Sequence, residues 1–182
     1  MPAVLNKRLS RTDLQQTTTL EYTSIHNGMF LDFWGLPTVK SHMTPYTTVM
    51  DMEHDYAAIP GSGDVPVVFT HTSDVARYVA ALLGLKSWDS NSVFTIIGDK
   101  VTWNQFLSMA ESAKGQATIL PGHASALEYL PQELLQKVNS AFGLWFARGA
   151  FNLEPNNVLN DEFPHIQPMK VKDILTASWK SP

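Results

Sequence analysis

An asparagine and a glycine at the end of a predicted strand are the residues best placed to meet a ligand. Residues 20–25 have the composition of a strand, and Asn27 and Gly28 follow it directly. Ligands of parallel α/β sheets bind beyond the carboxyl ends of the strands. Asn27 could therefore donate a hydrogen bond to a ligand carbonyl. An ordinary turn, in which Gly28 adopts a positive φ, explains the same two residues as well.

Two other polar groups invite a catalytic or a metal-binding interpretation, and the spacing favours neither. Ser73 is better explained as a helix cap and Asp74 as a partner of the helix dipole. Together with His71 they are too close in sequence to form the relay geometry of a catalytic triad. A second group has no HExxH or comparable ligand spacing, so we expect a solvated polar loop and no metal site. Its members are His42, Asp51, His54 and Asp55.

The aromatic segment 29–34 is too apolar to lie free in water. Phe33, Trp34 and Met29 could line an aromatic substrate pocket. Packing in the hydrophobic core is the interpretation that we prefer for these three residues, since large aromatic side chains dominate protein cores.

Strand and helix signals alternate through the centre of the chain. An apolar run predicts a strand over residues 65–72, and apolar residues at helical spacing predict a helix over residues 73–85. The same alternation repeats as a strand over residues 92–99 and a helix over residues 102–114, which Thr102 caps. Alternation of this kind favours an α/β fold with a parallel sheet flanked by helices.

Helices are also predicted at both ends of the chain. Residues 7–16 can form a helix with Leu9 and Leu14 on a partly buried side, and three successive threonines end it. Pro131 suits the first turn of a helix that runs through residues 138–146. Residues 171–179 are expected to form a short terminal helix.

Composition excludes several classes of protein. The chain has 182 residues, of which 44% are hydrophobic and 16% charged, so we expect one globular domain. A net charge of -4 with scattered basic residues argues against a nucleic-acid partner. No cysteine is present, which excludes disulfide and thiol chemistry. We expect no membrane span and a cytoplasmic location, because apolar runs stay far below about 20 residues and the first residues lack a secretory signal's apolar core.

Four separated sequence blocks carry a resemblance to a known family. They are residues 20–30 (LEYTSIHNGMF), 66–76 (PVVFTHTSDVA), 97–104 (IGDKVTWN) and 159–164 (LNDEFP). In this order they resemble fungal NmrA-like proteins, which belong with the isoflavone-reductase-like group of atypical short-chain dehydrogenases. The resemblance implies the substrate-side portion of a Rossmann-like NmrA-type fold with C-terminal helices, as one partial domain over residues 1–182.

The resemblance also implies a nicotinamide cofactor, either NADPH or NADH. Members of the family begin with a β-α-β unit whose Gly-rich loop places the pyrophosphate on a helix N-terminus. This sequence departs from that pattern, because the turn at Gly61 and Gly63 is too short and Pro66 follows it closely. The family's longer strand-and-loop segment after Gly115 is also shortened here. We therefore expect that the chain alone binds the dinucleotide incompletely or not at all.

Site residues follow from the resemblance as well. Isoflavone-reductase-like enzymes have a lysine that acts near the nicotinamide as a proton donor or carbonyl polariser, and Lys7 stands at about the corresponding spacing. A solvated lysine at a helix start is the alternative. In the family, the turn that corresponds to Asn27, Gly28 and Phe30 faces the nicotinamide and the substrate, and Phe33 follows it.

Three functions are compatible with these features. The first is an NAD(P)H-dependent oxidoreductase that acts on a small secondary metabolite. The second is a cyclase or isomerase that keeps the substrate pocket without a cofactor and works by proximity and a few polar groups. The third is a non-catalytic regulator or a truncated homologue. In each case we expect an exposed apolar edge near residues 20–25 that a second copy or a partner chain covers.

Overall fold

Short strands and six α-helices make up the part of the chain that the computed structural model describes, which is residues 2–17, 19–85, 93–115, 120–121 and 132–180. The strands, in chain order, are β1 (Ser24–His26), β2 (Met29–Phe30), β3 (Met50–Asp51), β4 (Tyr56–Ala57), β5 (Pro66–Thr70), β6 (Val93–Thr95), β7 (Asp99–Thr102) and β8 (Leu120–Pro121). The α-helices are α1 (Pro2–Gln16), α2 (Thr72–Leu82), α3 (Trp103–Lys114), α4 (Gln132–Ala147), α5 (Leu159–Glu162) and α6 (Val171–Trp179). A 3-10 helix covers Leu31–Trp34.

The strands form three small sheets in place of the single parallel sheet that the alternation suggests. β1 pairs with β6 in parallel, β5 lies between parallel β2 and antiparallel β7, and β4 lies between antiparallel β3 and parallel β8. Val67, Val68 and Phe69 of β5 are fully buried, as expected for a strand covered on both faces. The prediction of an α/β fold with C-terminal helices is confirmed.

The predicted strand over residues 92–99 is wrong in its second half. β6 ends at Thr95, and the chain reverses before β7 begins at Asp99. Gly98 permits this reversal because a side chain there would meet the carbonyl oxygen of Phe69 at 2.3 Å. Two hydrogen bonds hold the turn between neighbouring strands: Ile96 N donates to the His26 carbonyl at 2.8 Å, and Gly98 N donates to Thr70 Oγ1 at 3.2 Å.

Helix caps explain where α2 and α3 begin. The predicted cap of α3 is confirmed, because Thr102 Oγ1 accepts from Gln105 N at 3.1 Å while Gln105 Oε1 accepts from Thr102 N at 2.9 Å. For α2 the prediction was wrong. The N-cap is His71, whose side chain accepts from Ser73 N, and Ser73 lies inside the first turn.

Removing the reciprocal cap of α3 should measurably destabilise the fold. We expect Thr102→Ala to lower the free energy of unfolding by about 1 kcal/mol, because the amide of Gln105 loses its acceptor. Thr102→Ser keeps a hydroxyl and should retain most of the stability. Urea unfolding followed by tryptophan fluorescence compares the three proteins, and equal midpoints for Thr102→Ala and the wild type would contradict the cap's contribution.

An aromatic cluster forms the centre of the main core. Trp103 lies 5.6 Å from Trp34 and 5.0 Å from Phe146, measured between ring centroids, and both contacts are edge-on. All three side chains are almost fully buried. The indole of Trp34 also donates from Nε1 to the Met50 carbonyl at 3.3 Å. Segment 29–34 therefore lies in the core, as its apolar character predicts.

The C-terminal helices are fastened to the strand ends by side chains. Asn160 donates to the carbonyl of Ile97 and accepts from its amide, each at 2.9 Å. Asp74 accepts from Met169 N at 2.9 Å, and Asp99 accepts from Val171 N at 3.0 Å. The predicted helix 171–179 is confirmed as α6. α4 contains the predicted segment 138–146, while Pro131 lies outside the described residues.

α1 differs from its prediction at one end and on one face. It ends at Gln16 as expected but begins at Pro2 and not near Lys7. Leu14 is half-buried, whereas Leu9 is 53% exposed and does not lie on a buried side. Among the helices of the described residues, none combines the length and apolarity that crossing a membrane requires.

Candidate functional site

The carboxyl ends of β1, β5 and β6 meet at one edge of the molecule. Residues 96–98, which follow β6, bond both to His26 at the end of β1 and to Thr70 at the end of β5. The turn after β1 and the residue after β5 therefore belong to the same edge. Ligands of α/β sheets bind at such an edge, so its side chains are the first candidates for chemistry.

Gly28 lies where the turn after β1 presses against β5. Its φ is +72°, and a side chain there would place a Cβ 2.1 Å from the carbonyl oxygen of Val68. The positive φ that the ordinary-turn interpretation predicts is confirmed. Only glycine combines this backbone conformation with so close an approach. The turn is consequently a fixed feature of the edge, and it fixes the position of the preceding Asn27.

Asn27 is the ligand-binding candidate whose side chain has a hydrogen-bond donor without an acceptor in the described part of the chain. Its Nδ2 is buried and has no hydrogen-bond partner among the residues that the structure describes. Buried polar atoms are almost always paired, so an unpaired amide donor at the strand edge suits a ligand acceptor. Tyr22 Oη is also buried and unpaired in the described part, but Tyr22 precedes β1 and lies toward the amino end of that strand.

The two phenylalanines differ in their surroundings. Phe30 is half-buried at the end of β2, opposite Thr70 of β5, and so belongs to the same edge as Asn27. Phe33 makes edge-on ring contacts with Trp34 at 6.2 Å and Tyr46 at 5.6 Å. The preferred core-packing interpretation fits Phe33 and Trp34, and a ligand contact from Phe33 stays a prediction.

No contact in the described residues places Lys7 at this edge. It lies in the interior of α1 with an exposed side chain, and not just before a helix. Acid–base work by a lysine requires an enclosed position that shifts its protonation toward neutral pH. The role of Lys7 stays a prediction, and in this structure its surroundings are those of the solvated alternative.

One buried carboxylate near this edge, Asp32, was not singled out from the sequence, and it binds the start of α2 and Ser41. Asp32 follows β2, is fully buried, and accepts from the backbone amide of Thr72 at 2.8 Å. It also accepts from the hydroxyls of Ser41 and Thr72. The signal that could have found it is a single charged residue inside the apolar segment 29–34.

His71 stands between this carboxylate and a serine. Its Nε2 lies 3.5 Å from Asp32 Oδ1, is buried, and has no hydrogen-bond partner among the described residues. Its Nδ1 lies 2.9 Å from Ser73 Oγ. His71 and Ser73 are therefore in contact. Asp74 bonds to Arg77 and to Met169 N, so the three near-adjacent residues do not form a triad, in agreement with the sequence argument.

Three of the four residues considered for metal binding belong to two separate ion pairs, and the fourth, His42, is exposed. Asp51 lies 3.0 Å from His54 Nδ1, and its hydrogen bond and charge raise the pKa of His54 above its usual value. Asp55 pairs with Lys114. Within the described residues, no group of three or more histidine or acidic side chains is placed to hold a metal ion.

Two cavities open away from this edge. One of about 210 Å³ is lined by Thr48, Val49, Asn139 and Gly143 among others, and Tyr46 donates to Asn139 Oδ1 beside it at 3.1 Å. Burial raises the pKa of Tyr46. The other cavity, about 290 Å³, lies between α3 and α6 and includes the two lysines 172 and 180.

Curated relatives match nearly the whole of this chain. It is 34% identical over 174 residues to an oxidoreductase, BOA1, of Botryotinia fuckeliana (strain B05.10). It is 27% identical over 189 residues to the oxidoreductase swnN of Metarhizium robertsii. The alignments cover 92% and 93% of this chain but 55% of each relative, so the chain spans about half the length of these proteins. No family model matches.

Solved structures of similar fold cover the chain to a comparable extent. A nucleoside-diphosphate-sugar epimerase from Staphylococcus aureus matches with a TM-score of 0.64 at 19% identity, over 91% of this chain and 55% of that one. AtPrR2 with NADP+ and (+)pinoresinol matches with a TM-score of 0.61 at 14% identity, over 93% and 55%. At such identities the likeness shows the fold alone, which is Rossmann-like α/β.

Proposed function

We propose that this chain is the substrate-side part of an NAD(P)H-dependent oxidoreductase of the NmrA-like, isoflavone-reductase-like kind, acting on a small secondary metabolite. The observation that carries the proposal is the buried, unpaired amide of Asn27 at the carboxyl edge of β1. Its support is the 34% identity to an oxidoreductase over nearly the whole chain. Family resemblance in four blocks and a Rossmann-like fold agree with it.

The residues at this edge fit one end of a nicotinamide dinucleotide. Asn27 offers an amide donor suited to a carboxamide or carbonyl oxygen, and Gly28 leaves no side chain in the turn beside it. The sequence contains no Gly-x-Gly-x-x-Gly loop for the pyrophosphate. Residues outside this sequence, on the remainder of a longer protein or on a partner chain, would therefore hold the phosphates.

When bound, the nicotinamide would supply hydride to the substrate. The residues of this chain would orient the ring: Asn27 would donate to its carboxamide oxygen, and Phe30 borders the same edge. A fixed donor holds such an oxygen in one orientation better than mobile water does. Lys7 would provide the proton only if residues outside this sequence enclose it, because its side chain is exposed in this structure.

We propose that residues outside this sequence, on a longer protein or on a partner chain, cover three exposed leucines near the start of the chain. Leu5 is 56%, Leu9 is 53% and Leu20 is 61% exposed. In the described residues β1 pairs with β6 alone, which leaves its other edge open. A strand edge with no strand partner and exposed leucines are each typical of a surface that a further sheet or chain covers.

Calorimetric titration with NADPH and NADH tests the proposal. We expect weak, saturable binding to the folded chain, because only the nicotinamide end finds its contacts. Asn27→Ala should weaken binding by about 3–10-fold, the loss of one hydrogen bond of about 0.5–1.5 kcal/mol. Asn156→Ala, at an exposed loop asparagine, serves as the matched control and should bind like the wild type.

Two results would contradict the proposal. Binding that is equal in Asn27→Ala and the wild type would remove the role of the β1 edge. A folded chain that binds neither dinucleotide would leave the other two functions, a cofactor-independent cyclase or isomerase and a non-catalytic regulator. Substrate-like small molecules would still bind in the first of these and not in the second.

A further inference from the structure

The imidazole of His71 is set to act as a base toward Ser73. The backbone amide of Ser73 lies 3.2 Å from its Nδ1 and donates to it, and this contact assigns the ring proton to Nε2. The hydroxyl of Ser73 lies 2.9 Å from the same Nδ1. Because Nδ1 has no hydrogen, the hydroxyl must be the donor in this contact. A serine that donates to an unprotonated imidazole is the arrangement of an activated nucleophile.

A buried carboxylate supports the other side of the ring. The Nε2 proton of His71 has no acceptor within hydrogen-bonding geometry in the described residues, and the nearest charge is Asp32 Oδ1 at 3.5 Å. Both side chains are buried, at 1% and 0% exposure. An imidazolium formed by proton transfer from Ser73 would face this carboxylate at short range. The carboxylate of Asp74 forms an ion pair with Arg77, so its charge is balanced by that of the guanidinium.

Ser73 itself is accessible. It is exposed in the first turn of α2, directly after the carboxyl end of β5. The donors of this turn are otherwise engaged: Thr72 N bonds to Asp32, and the amides of Asp74 and Val75 bond to the His71 carbonyl. The exception is the amide of Ser73, which loses its acceptor when Nδ1 gains a proton. It is then free to bond an oxyanion on the group attached to Ser73, as a nucleophile's own amide does in serine hydrolases.

We propose that Ser73 is a nucleophilic serine that accepts an acyl or phosphonyl group from an activated donor. In the step, Oγ bonds to the carbonyl carbon or the phosphorus, and the leaving group departs with its electron pair. The Oγ proton passes to Nδ1 of His71 and then to the leaving group or water. His71 is the base, and Asp32 is a positioning residue that favours the charged ring. The site is independent of any nicotinamide.

Labelling with a fluorophosphonate ester probe tests this directly. The Oγ–P bond forms, the P–F bond breaks, and fluoride leaves. Peptide mass spectrometry on the full chain should find Ser73 labelled at least ten times faster than Ser108, an exposed serine on α3. Ser73→Ala should lose the label from that peptide. His71→Gln should slow labelling of Ser73 at least tenfold while its circular dichroism spectrum stays that of the wild type.

The pH profile keeps the proposal testable if His71→Gln does not fold. If a base assists the reaction, the rate at which the wild type is labelled should fall in acid and level off at higher pH. Asp32→Asn should move the pH at which it levels off, which a loss of packing alone would not do. A rate that rises tenfold per pH unit without levelling would indicate unassisted chemistry and overturn the proposal. So would labelling of Ser73 no faster than that of Ser108.

Discussion

Replacing Asp32 by alanine is expected to lower the free energy of unfolding by about 3–5 kcal/mol, the range for disrupting a buried charged network. The carboxylate accepts from the hydroxyls of Ser41 and Thr72 and from the amide of Thr72. Removing it leaves three donors of the half-buried Ser41 and Thr72 without their acceptor, beside a space that the fully buried carboxylate had filled. Each stranded donor costs about 1–3 kcal/mol. The loop around Ser41 and the start of α2 should loosen together.

Urea unfolding with fluorescence detection measures this loss, and Glu154→Ala provides the control. Glu154 is an exposed carboxylate in a loop, so its removal should stay within about 0.5 kcal/mol of the wild type. Hydrogen exchange adds a local readout, since the Thr72 amide should lose protection more than the amides of α3. An unfolding free energy for Asp32→Ala within 1 kcal/mol of the control would show that the network contributes little.

Two glycine-to-alanine substitutions should change stability in opposite directions. At Gly28 a methyl group would meet the Val68 carbonyl oxygen at 2.1 Å, a backbone atom that cannot move without breaking β5. The φ of +72° adds strain for any L side chain. We expect Gly28→Ala to lose at least about 3 kcal/mol, at the upper end of ordinary single substitutions. Dinucleotide binding at the adjacent Asn27 should weaken with it.

Gly143 is the matched position where the same change should help. It lies inside α4, and no atom stands within 4 Å of the place a Cβ would take. Alanine there should stabilise the helix by about 0.5–1 kcal/mol. Thermal unfolding of both variants gives the comparison. If Gly28→Ala were as stable as Gly143→Ala, the close approach of the β1 turn to β5 would be wrong.

Local signals in the sequence were sufficient for most of the helices. The start of α3 follows from one threonine with a glutamine three residues on, and α6 follows from apolar spacing alone. The apolar run that forms β5 is also recognisable in the sequence. These features depend on neighbours within one turn or one strand, and such neighbours are visible in a sequence.

Features set by distant partners could not be obtained in this way. Asp32 and Thr72 are 40 positions apart, so the sequence does not indicate that they bond. The acid that lies close in sequence to His71 and Ser73 is Asp74. The reversal at Gly98 depends on how closely the carbonyl of Phe69 approaches. The turn at Asn27 and Gly28 could be placed, because the strand edge rule is general. The unpaired donor that a ligand could bind at this turn is visible only in the structure, where Asn27 Nδ2 is buried and has no partner among the described residues.

The proposal divides the cofactor contacts between this chain and residues outside this sequence. The nicotinamide end would meet Asn27, while the phosphates and adenosine would lie against residues outside this sequence. Such a division predicts a specific contact pattern for a dinucleotide and not merely some affinity. The pattern can be measured on the chain as it stands.

Saturation-transfer-difference NMR of NADPH with the purified chain is the most direct measurement. The account predicts that the nicotinamide ring protons receive clearly more saturation than the adenine protons, and that Asn27→Ala removes this difference while Asn156→Ala keeps it. Equal saturation of both rings, or stronger saturation of adenine, would contradict the assignment of the β1 edge to the reacting end of the cofactor.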